Sequence, residues 1–342
     1  VAIVLSFTKV FQATPPSAPE SSKVLSEPKT IGIIDFRQQA EAVEGFKQGM
    51  KEMGYSNITY KELRILPSDT MFTEAADDTK TLLKEGADLI FTGLEFQALP
   101  AIQTTKAMGN NTPIIFLSGF HDPVNYGLAK SFRSSGNNAT GVALNINDVV
   151  QKQLEFLKKI RPVAKKIGVF GKGFMVFPES DEFFPELKRQ APKFGFEVVT
   201  FTTDAPPPKA EEAWYAVTKN LKPGDVDVLY HLAGHYFDSQ QKGHTQEFAD
   251  SALAIRLKGI MIAPLEDLAN GGTFGYSGDY AYAGKQSARI ADKIFRGTKP
   301  SDIPIEYIKK ISMAVYPTRA RLAGWEFPES ILKIADKIVN DK

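Results

Sequence analysis

The chain repeats one order of strand-like and helix-like segments twice, and this duplication constrains its fold more than any other feature. Each copy has about 120 residues, a usual domain size, and contains short apolar runs typical of buried parallel strands. The clearest runs are 31–36, 87–93 and 112–119 in the first copy and 167–173, 226–234 and 258–267 in the second. Because strands alternate with helices in both copies, the sequence predicts α/β architecture, with two Rossmann-like doubly wound lobes.

The helices between these runs are visible as apolar residues at helical spacing. The first helix has such residues at Ala42, Val43, Phe46, Met50 and Met53, with Gly54 as its stop signal. Further helices are expected at 73–85, 100–108 and 284–297, and in the tail at 328–339, after a strand at 311–316.

The connections between the copies predict a hinge of several strands. We expect the chain to pass between lobes near 144–148 and again near 270–272. The predicted division is a leader at 1–29, a first lobe of 30–146 with 273–303, and a second lobe of 147–272 with 304–342.

Charge and cysteine content exclude several classes of protein. The 342 residues carry 41 Lys and Arg against 40 Asp and Glu, so the formal charge is +1. A general nucleic-acid binder would carry a basic surplus, and we expect no nucleic-acid partner. The chain has no cysteine, which excludes disulfides, thiolate nucleophiles and Cys-ligated metals, and no lipid anchor on an N-terminal cysteine is expected.

The N-terminus resembles the end of a secretory signal. The apolar stretch 1–7 leads to Ala13, a small residue suited to cleavage, and then to a segment rich in Pro and Ser. A secreted, periplasmic protein is expected, while an ordinary first strand or tail remains the alternative. No stretch approaches 18 consecutive apolar residues, so no membrane span is expected.

The expected binding site lies where the strands end. In open parallel sheets, ligands bind outside the carboxyl ends of the strands, and two facing lobes would close on a small molecule. The residues at these ends include small residues that expose backbone N–H groups, residues with hydroxyl groups, acidic residues and aromatic residues. The candidate ligand-binding residues are Phe36, Arg37, Thr92, Gly93, Glu95, Phe96, Ser118, Gly119, Phe120, Phe174, His231, Gly234, Glu266, Tyr276 and Asp279.

These residue types suggest an amino acid as the ligand. Thr92, Gly93, Ser118 and Gly119 suit a carboxylate at a helix start. Acidic residues pair with an ammonium group, and aromatic residues enclose an apolar or planar body. The acids are Glu95, Glu266 and Asp279. The predicted ligand is therefore an aromatic or large apolar amino acid. Asp279 has the alternative role of a hinge residue that bonds backbone amides, and Arg37 that of an ordinary surface residue.

Other chemistry is less well supported. His231 and His235 stand four apart, as in helical metal sites, but they flank a strand end, and no metal or other cofactor is expected. His121 and Asp122 precede Pro123, which indicates a turn rather than an acid–base pair. The glycines at 171–173 lack the full phosphate-loop pattern.

Residues from about 30 to 340 resemble the solute-binding proteins of ABC transporters, which have the type I periplasmic-binding fold. The resemblance is carried by IGIIDF…AVEGFKQGMKEMGY, HDPVNYGL, GNNATGVALNINDVVQKQLEFLKKIRPVAKKIGVF, ANGGTFGYSGDYAYAGKQSARIADKIFRGTKPSDIPIE and PESILKIADKIV. The nearest group includes tryptophan- and tyrosine-type uptake proteins. It implies capture of a small solute in the periplasm and delivery to a membrane permease and its ATPase. The loops TGLEF, GKGFMVFPES and HLAGHYF depart from the commoner polar loops of the family.

The sequence thus predicts a monomeric periplasmic solute-binding protein and not an enzyme. Ligand contacts made only in the closed form would drive closure. The alternative is a periplasmic sensor feeding a kinase or chemoreceptor. An α/β enzyme ranks last, because no GxSxG motif or cysteine is present and histidines are few. A LacI-like regulator would need an N-terminal helix-turn-helix, which the start of the chain does not supply.

Overall fold

A computed structural model describes residues 25–36, 40–65, 70–171, 183–202, 210–233, 246–263, 265, 268 and 271–340. Within these ranges, two sheets of mostly parallel strands are flanked by helices. The strands are β1 (Lys29–Phe36), β2 (Ile58–Ile65), β3 (Leu89–Thr92), β4 (Ile114–Ser118), β5 (Ala139–Ala143), β6 (Lys166–Gly171), β7 (Glu197–Thr202), β8 (Val228–Ala233), β9 (Ile260–Ile262), β10 (Phe274–Gly278), β11 (Glu306–Tyr307), β12 (Ile311–Val315) and β13 (Lys337–Ile338).

The helices cover both faces of each sheet. They are α1 (Ala40–Glu52), α2 (Met71–Lys84), α3 (Glu95–Ala107), α4 (Ile146–Ile160), α5 (Phe183–Gln190), α6 (Ala210–Thr218), α7 (Gln246–Leu257), α8 (Tyr280–Phe295), α9 (Pro317–Leu322) and α10 (Glu329–Leu332).

The two sheets share one strand order, which confirms the duplicated α/β architecture. The first sheet runs β2-β1-β3-β4-β5 and ends with β11; the second runs β7-β6-β8-β9-β10 and ends with β12 and β13. The five shared positions have the doubly wound order 2-1-3-4-5. Only the β10–β12 pair among these strands is antiparallel.

Two strands, β10 and β11, belong to the other sheet from the one that the predicted lobe boundaries imply. The sequence pattern assigns 273–303 to lobe 1, yet β10 within it hydrogen-bonds to β9 and β12 of the second sheet. It assigns 304–342 to lobe 2, yet β11 pairs with β5 of the first sheet. The reason is the repeat itself: β10 is the fifth strand of the second copy, as β5 is of the first. The second crossing therefore follows β10 at Asp279 and not the segment 270–272.

Within the residues that the structure describes, three crossing segments join the sheets. They are residues 144–145 after β5, residue 279 after β10, and residues 308–310 between β11 and β12. Adjacent crossings are hydrogen-bonded: the Ile308 N–H donates to the Ala143 carbonyl at 2.8 Å, and the Asp279 N–H to the Lys310 carbonyl at 2.9 Å. Such a short bonded set of segments is what a hinge requires.

Each sheet is buried on both faces. One face of the first sheet packs against α1 and α8, and the other against α2 and α3. In the second sheet, α4 and α5 cover one face, and α6 and α7 cover the other. This explains the near-continuous apolar runs of the strands.

Two helices differ most from the sequence prediction. Helix α3 begins at Glu95, five residues before the expected start at 100, with Pro100 inside it. The side chain of Gln97 accepts the Leu94 N–H at 3.0 Å and fixes this earlier start. The expected tail helix 328–339 is only the four residues of α10, because β13 then pairs with β12.

Candidate functional site

The carboxyl ends of β3 and β4 form the described part of the candidate site. They lie beside the point where the strand order reverses, between β1 and β3, which is the expected ligand position in such sheets. Four of the candidates lie outside the described residues: Arg37, Phe174, Gly234 and Glu266. Phe36 is the last residue of β1, and His231 lies within β8, two residues before its end at Ala233. The side chains of Phe36 and His231 lie outside the description.

Glu95 is the buried centre of this edge. It is the first residue of α3, and its side chain is 0% exposed. One carboxylate oxygen accepts the Gly119 N–H at 3.0 Å, and the other accepts the Phe120 N–H at 2.8 Å. The second oxygen also lies 2.8 Å from Nδ1 of His121. The carboxylate therefore binds the chain's own loop, whereas the sequence suggested a ligand ammonium as its partner.

Thr92, Gly93, Ser118 and Gly119 are the residues expected to hold a ligand carboxylate. Most of their polar groups form hydrogen bonds within the protein instead. The Gly93 N–H donates to the Ile34 carbonyl at 3.1 Å, and Ser118 Oγ donates to the His121 carbonyl at 2.7 Å. The Gly119 N–H is held by Glu95. Among the described residues, Oγ1 of Thr92 has no hydrogen-bond partner, although Thr92 is fully buried. Of these four residues, Thr92 thus retains a side-chain donor that no described group uses.

An aromatic cluster lies over Glu95. The ring centroids of Phe96 and Phe120 are 6.1 Å apart, and Phe96 meets His121 edge-on at 5.5 Å. Tyr126 packs on the His121 ring at 4.3 Å, and Phe72 extends the cluster at 6.4 Å from Phe96. Phe72 is 43% exposed, and Phe96, Phe120 and Tyr126 are partly exposed. The cluster therefore offers ring surface for a planar group.

Burial and the Glu95 charge raise the pKa of Tyr126, so its hydroxyl stays protonated at neutral pH.

The two candidates beside the crossing segments, Asp279 and Tyr276, have defined structural partners. Asp279 caps α8 by accepting the Tyr282 N–H at 2.9 Å, and it forms a 2.6 Å ion pair with Lys310. Partial burial opposes its ionisation, but the bonds from Lys310 and the Tyr282 N–H prevail and lower its pKa. Tyr276 is half-buried and packs against the cores of both sheets. These contacts are the ones expected if Asp279 has its alternative role, that of a hinge residue that bonds backbone amides.

Sequence reasoning missed the part that His121 and Tyr126 play at the edge of β3 and β4 and the part that Lys310 plays at the hinge. His121 and Asp122 were assigned to a turn, and the structure confirms this: Oδ1 of Asp122 accepts the N–H of Val124 at 2.8 Å and of Asn125 at 3.2 Å. The turn nevertheless brings the His121 ring onto Glu95. No spacing in the sequence indicates this contact, because the two residues come from different βα units.

A second feature is a cleft of about 520 Å³ beside the hinge. It separates the start of α1 from the edge of the second sheet at β12 and β13. Its charged lining consists of Glu41, Glu44, Asp279, Asp336, Lys310 and Lys337. It lies apart from the aromatic cluster and shares only Asp279 with the candidate residues.

Within the described ranges, no group of three or more His, Asp or Glu side chains is arranged to hold a metal ion. None of the helices described is both long and apolar enough to cross a bilayer.

Comparison with known proteins identifies relatives over almost the whole chain. A family model described as ABC transporter substrate binding protein matches residues 30–339. A curated relative, the tyrosine-binding protein of Clostridioides difficile (strain R20291), is 25% identical over 291 residues. The aligned region covers 84% of this chain and 78% of that relative.

Solved structures share the fold. An ABC domain from Streptococcus pneumonia in complex with L-Trp superposes with a TM-score of 0.71 at 21% identity, covering 92% of this chain and 100% of that one. A ligand-free, open substrate binding protein with adhesive properties from Clostridium difficile gives a TM-score of 0.62 at 22% identity, with the same coverage. The expected fold, two doubly wound lobes of the type I periplasmic-binding kind, is confirmed.

Proposed function

The chain belongs to the ABC transporter substrate binding protein family, and from this premise we propose that it captures a free aromatic amino acid between its two lobes. The single observation that carries the choice of ligand is the partly exposed ring cluster of Phe72, Phe96, Phe120 and Tyr126 at the carboxyl edge of the first sheet. The names of two relatives, one tyrosine-binding and one bound to L-Trp, support the same class.

The candidate residues divide into two roles in this proposal. Phe96 and Phe120 contact the ligand ring directly, because their rings remain partly exposed. Glu95, Ser118 and Gly119 shape the loop that presents those rings, since their polar groups are engaged within the chain. Thr92 supplies a hydroxyl that has no hydrogen-bond partner among the described residues. The rest of the predicted set completes the pocket: Phe36, Arg37, Gly93, Phe174, His231, Gly234, Glu266, Tyr276 and Asp279.

Closure about the three crossing segments completes binding. Ligand contacts to the second lobe exist only when the lobes approach, so the ligand stabilises the closed form by its difference in affinity between the two forms. Tyr276 and Asp279 lie on β10 and on the crossing that follows it, where this movement would be centred.

Binding and delivery are the whole activity in this proposal. The closed, loaded protein docks on a membrane permease driven by an ATPase, outside the cytoplasm, as a monomer and without catalysis. Family membership favours this transport role over a sensory one.

Calorimetric titration with each of the twenty amino acids tests the proposal. We expect binding of tryptophan, tyrosine or both, and no binding of lysine or aspartate. Mass spectrometry of small molecules released from the denatured purified protein should identify the same ligand. A panel without any binding amino acid would reject the proposed ligand class, and a released sugar or nucleoside would replace it.

A further inference from the structure

The imidazole of His121 has one nitrogen engaged and one unengaged, although the residue is only 2% exposed. Nδ1 lies 2.8 Å from Glu95, while Nε2 has no partner among the described residues. A buried polar atom without a partner costs about 1–3 kcal/mol. Such atoms in native proteins call for an explanation, and an arriving ligand group is one.

The surroundings of Glu95 assign the proton on this ring. Glu95 already accepts two backbone N–H groups, so its oxygens act as acceptors. It also lies in the first turn of the thirteen-residue helix α3, where the helix dipole stabilises a negative charge. Nδ1 therefore carries the proton that it donates to Glu95. In the neutral imidazole with this tautomer, Nε2 is an acceptor.

The rings around His121 indicate which part of a ligand reaches Nε2. Tyr126 lies 4.3 Å from the imidazole and Phe96 lies 5.5 Å from it, both measured between ring centroids. Phe96 in turn contacts Phe120 and Phe72. The imidazole therefore lies among the rings of the aromatic cluster, against which the planar end of a ligand packs.

Resting on the proposed function, we infer that Nε2 of His121 accepts a hydrogen bond from an N–H or O–H group on the ligand's ring. The site then selects tyrosine and tryptophan over phenylalanine, because phenylalanine leaves Nε2 buried and unpaired. Glu95 is the positioning residue: it holds the tautomer and, through Gly119 and Phe120, the loop that carries the ring.

The test compares L-tyrosine with L-phenylalanine, which differ by one hydroxyl, in calorimetric titrations of the full chain. We expect tyrosine to bind about 5- to 150-fold more tightly, the equivalent of one buried group left unpaired. Substitution His121→Phe should bring the ratio of the two affinities to within about twofold. Glu95→Gln should lower the ratio by a smaller factor, since the amide oxygen still accepts from Nδ1 but the amide NH2 cannot accept the Gly119 N–H, so the loop is held less firmly.

A matched control is Tyr55→Phe, which removes a hydroxyl bonded to Asp292 at 2.9 Å in the same lobe. It should lower thermal stability without changing the tyrosine-to-phenylalanine ratio. The titration of the wild-type protein does not depend on the folding of any variant. It distinguishes failure of the proposed function from failure of the role of His121. If no aromatic amino acid binds, the proposed function fails. If tyrosine and phenylalanine bind equally, or if His121→Phe keeps the wild-type ratio, the role of His121 is overturned and the proposed function stands.

Discussion

At the scale of single residues, the same side chain is able to bind a ligand or to stabilise the fold, and its neighbours in the structure decide which. Glu95 and Gly119 have the residue types of an amino-acid site, yet they bond to each other. A methyl group at Gly119 would also lie 2.5 Å from the hydroxyl of Tyr280, so this glycine makes room for the start of α8. A residue type therefore identifies what a position is able to bind, and the folded chain decides which partner reaches it first.

The Asp279–Lys310 ion pair predicts a pH dependence of stability. The pKa of Asp279 is lowered in the folded protein, so its contribution is present above the unfolded value of about 4 and is lost as pH falls below it. Asp279→Asn keeps an oxygen for the Tyr282 N–H but loses the charge. We expect it to cost about 0.5–1 kcal/mol at pH 7, because Lys310 is half exposed.

Thermal unfolding followed between pH 7 and pH 3 measures this effect. The difference in Tm between wild type and Asp279→Asn should shrink toward zero at the acidic end. Lys310→Met added to Asp279→Asn should change Tm little at any pH, since its partner charge is already gone. A difference in Tm that is constant across the pH range would contradict the role of the ion pair.

At the scale of elements, α1 and α8 are joined by small residues at helical spacing. Gly45 and Gly49 of α1 face Gly284 and Ala288 of α8, and a Cβ built at Gly45 would lie 2.0 Å from the Ala281 carbonyl oxygen. The sequence correctly predicted the apolar face of α1: Ala42, Val43, Phe46 and Met50 are buried. The contact with α8 was not predictable, because some 240 residues separate the two helices and spacing within one helix does not identify its partner.

Gly45→Ala tests this close approach. Alanine favours a helix over glycine by about 1 kcal/mol, but the overlap with a backbone oxygen, which cannot rotate away, outweighs that gain. We expect a net loss of about 2 kcal/mol in the free energy of unfolding by urea. Gln48→Ala on the exposed side of α1 is the control and should stay within about 0.5 kcal/mol of wild type. An unchanged or raised stability in Gly45→Ala would show that the helices can separate at little cost.

At the scale of the whole molecule, three crossings connect two independently packed sheets. Gln286 of α8, only 1% exposed, donates to the Glu306 carboxylate at 2.7 Å and to the Tyr307 carbonyl at 3.0 Å. The third crossing is thus fixed to the first lobe on one side, while Lys310 joins it to the second crossing at Asp279. This arrangement restricts motion to bending at a few residues.

Small-angle scattering measures the expected closure. Addition of saturating L-tryptophan should reduce the radius of gyration of the wild-type protein, because the lobes approach on binding. L-lysine at equal concentration serves as the control and should leave the profile unchanged. Heat of binding by calorimetry without any change in scattering would mean that the ligand binds to one lobe alone, contrary to the proposed mechanism.

The sequence by itself determined the repeated α/β architecture and the strand edges that carry the candidate site. Apolar periodicity and glycine stops are local signals, and strands that alternate with helices favour a parallel sheet covered by helices. The strand order 2-1-3-4-5 was visible only in the structure. Only the tertiary structure decided the partners. The bond of Glu95 to the 119–121 loop, the pairing of β10 with the second sheet and the glycine contact of α1 with α8 each join segments distant in sequence. Such contacts depend on which surfaces meet when the chain packs, and hydrophobic spacing along one segment carries no information about that.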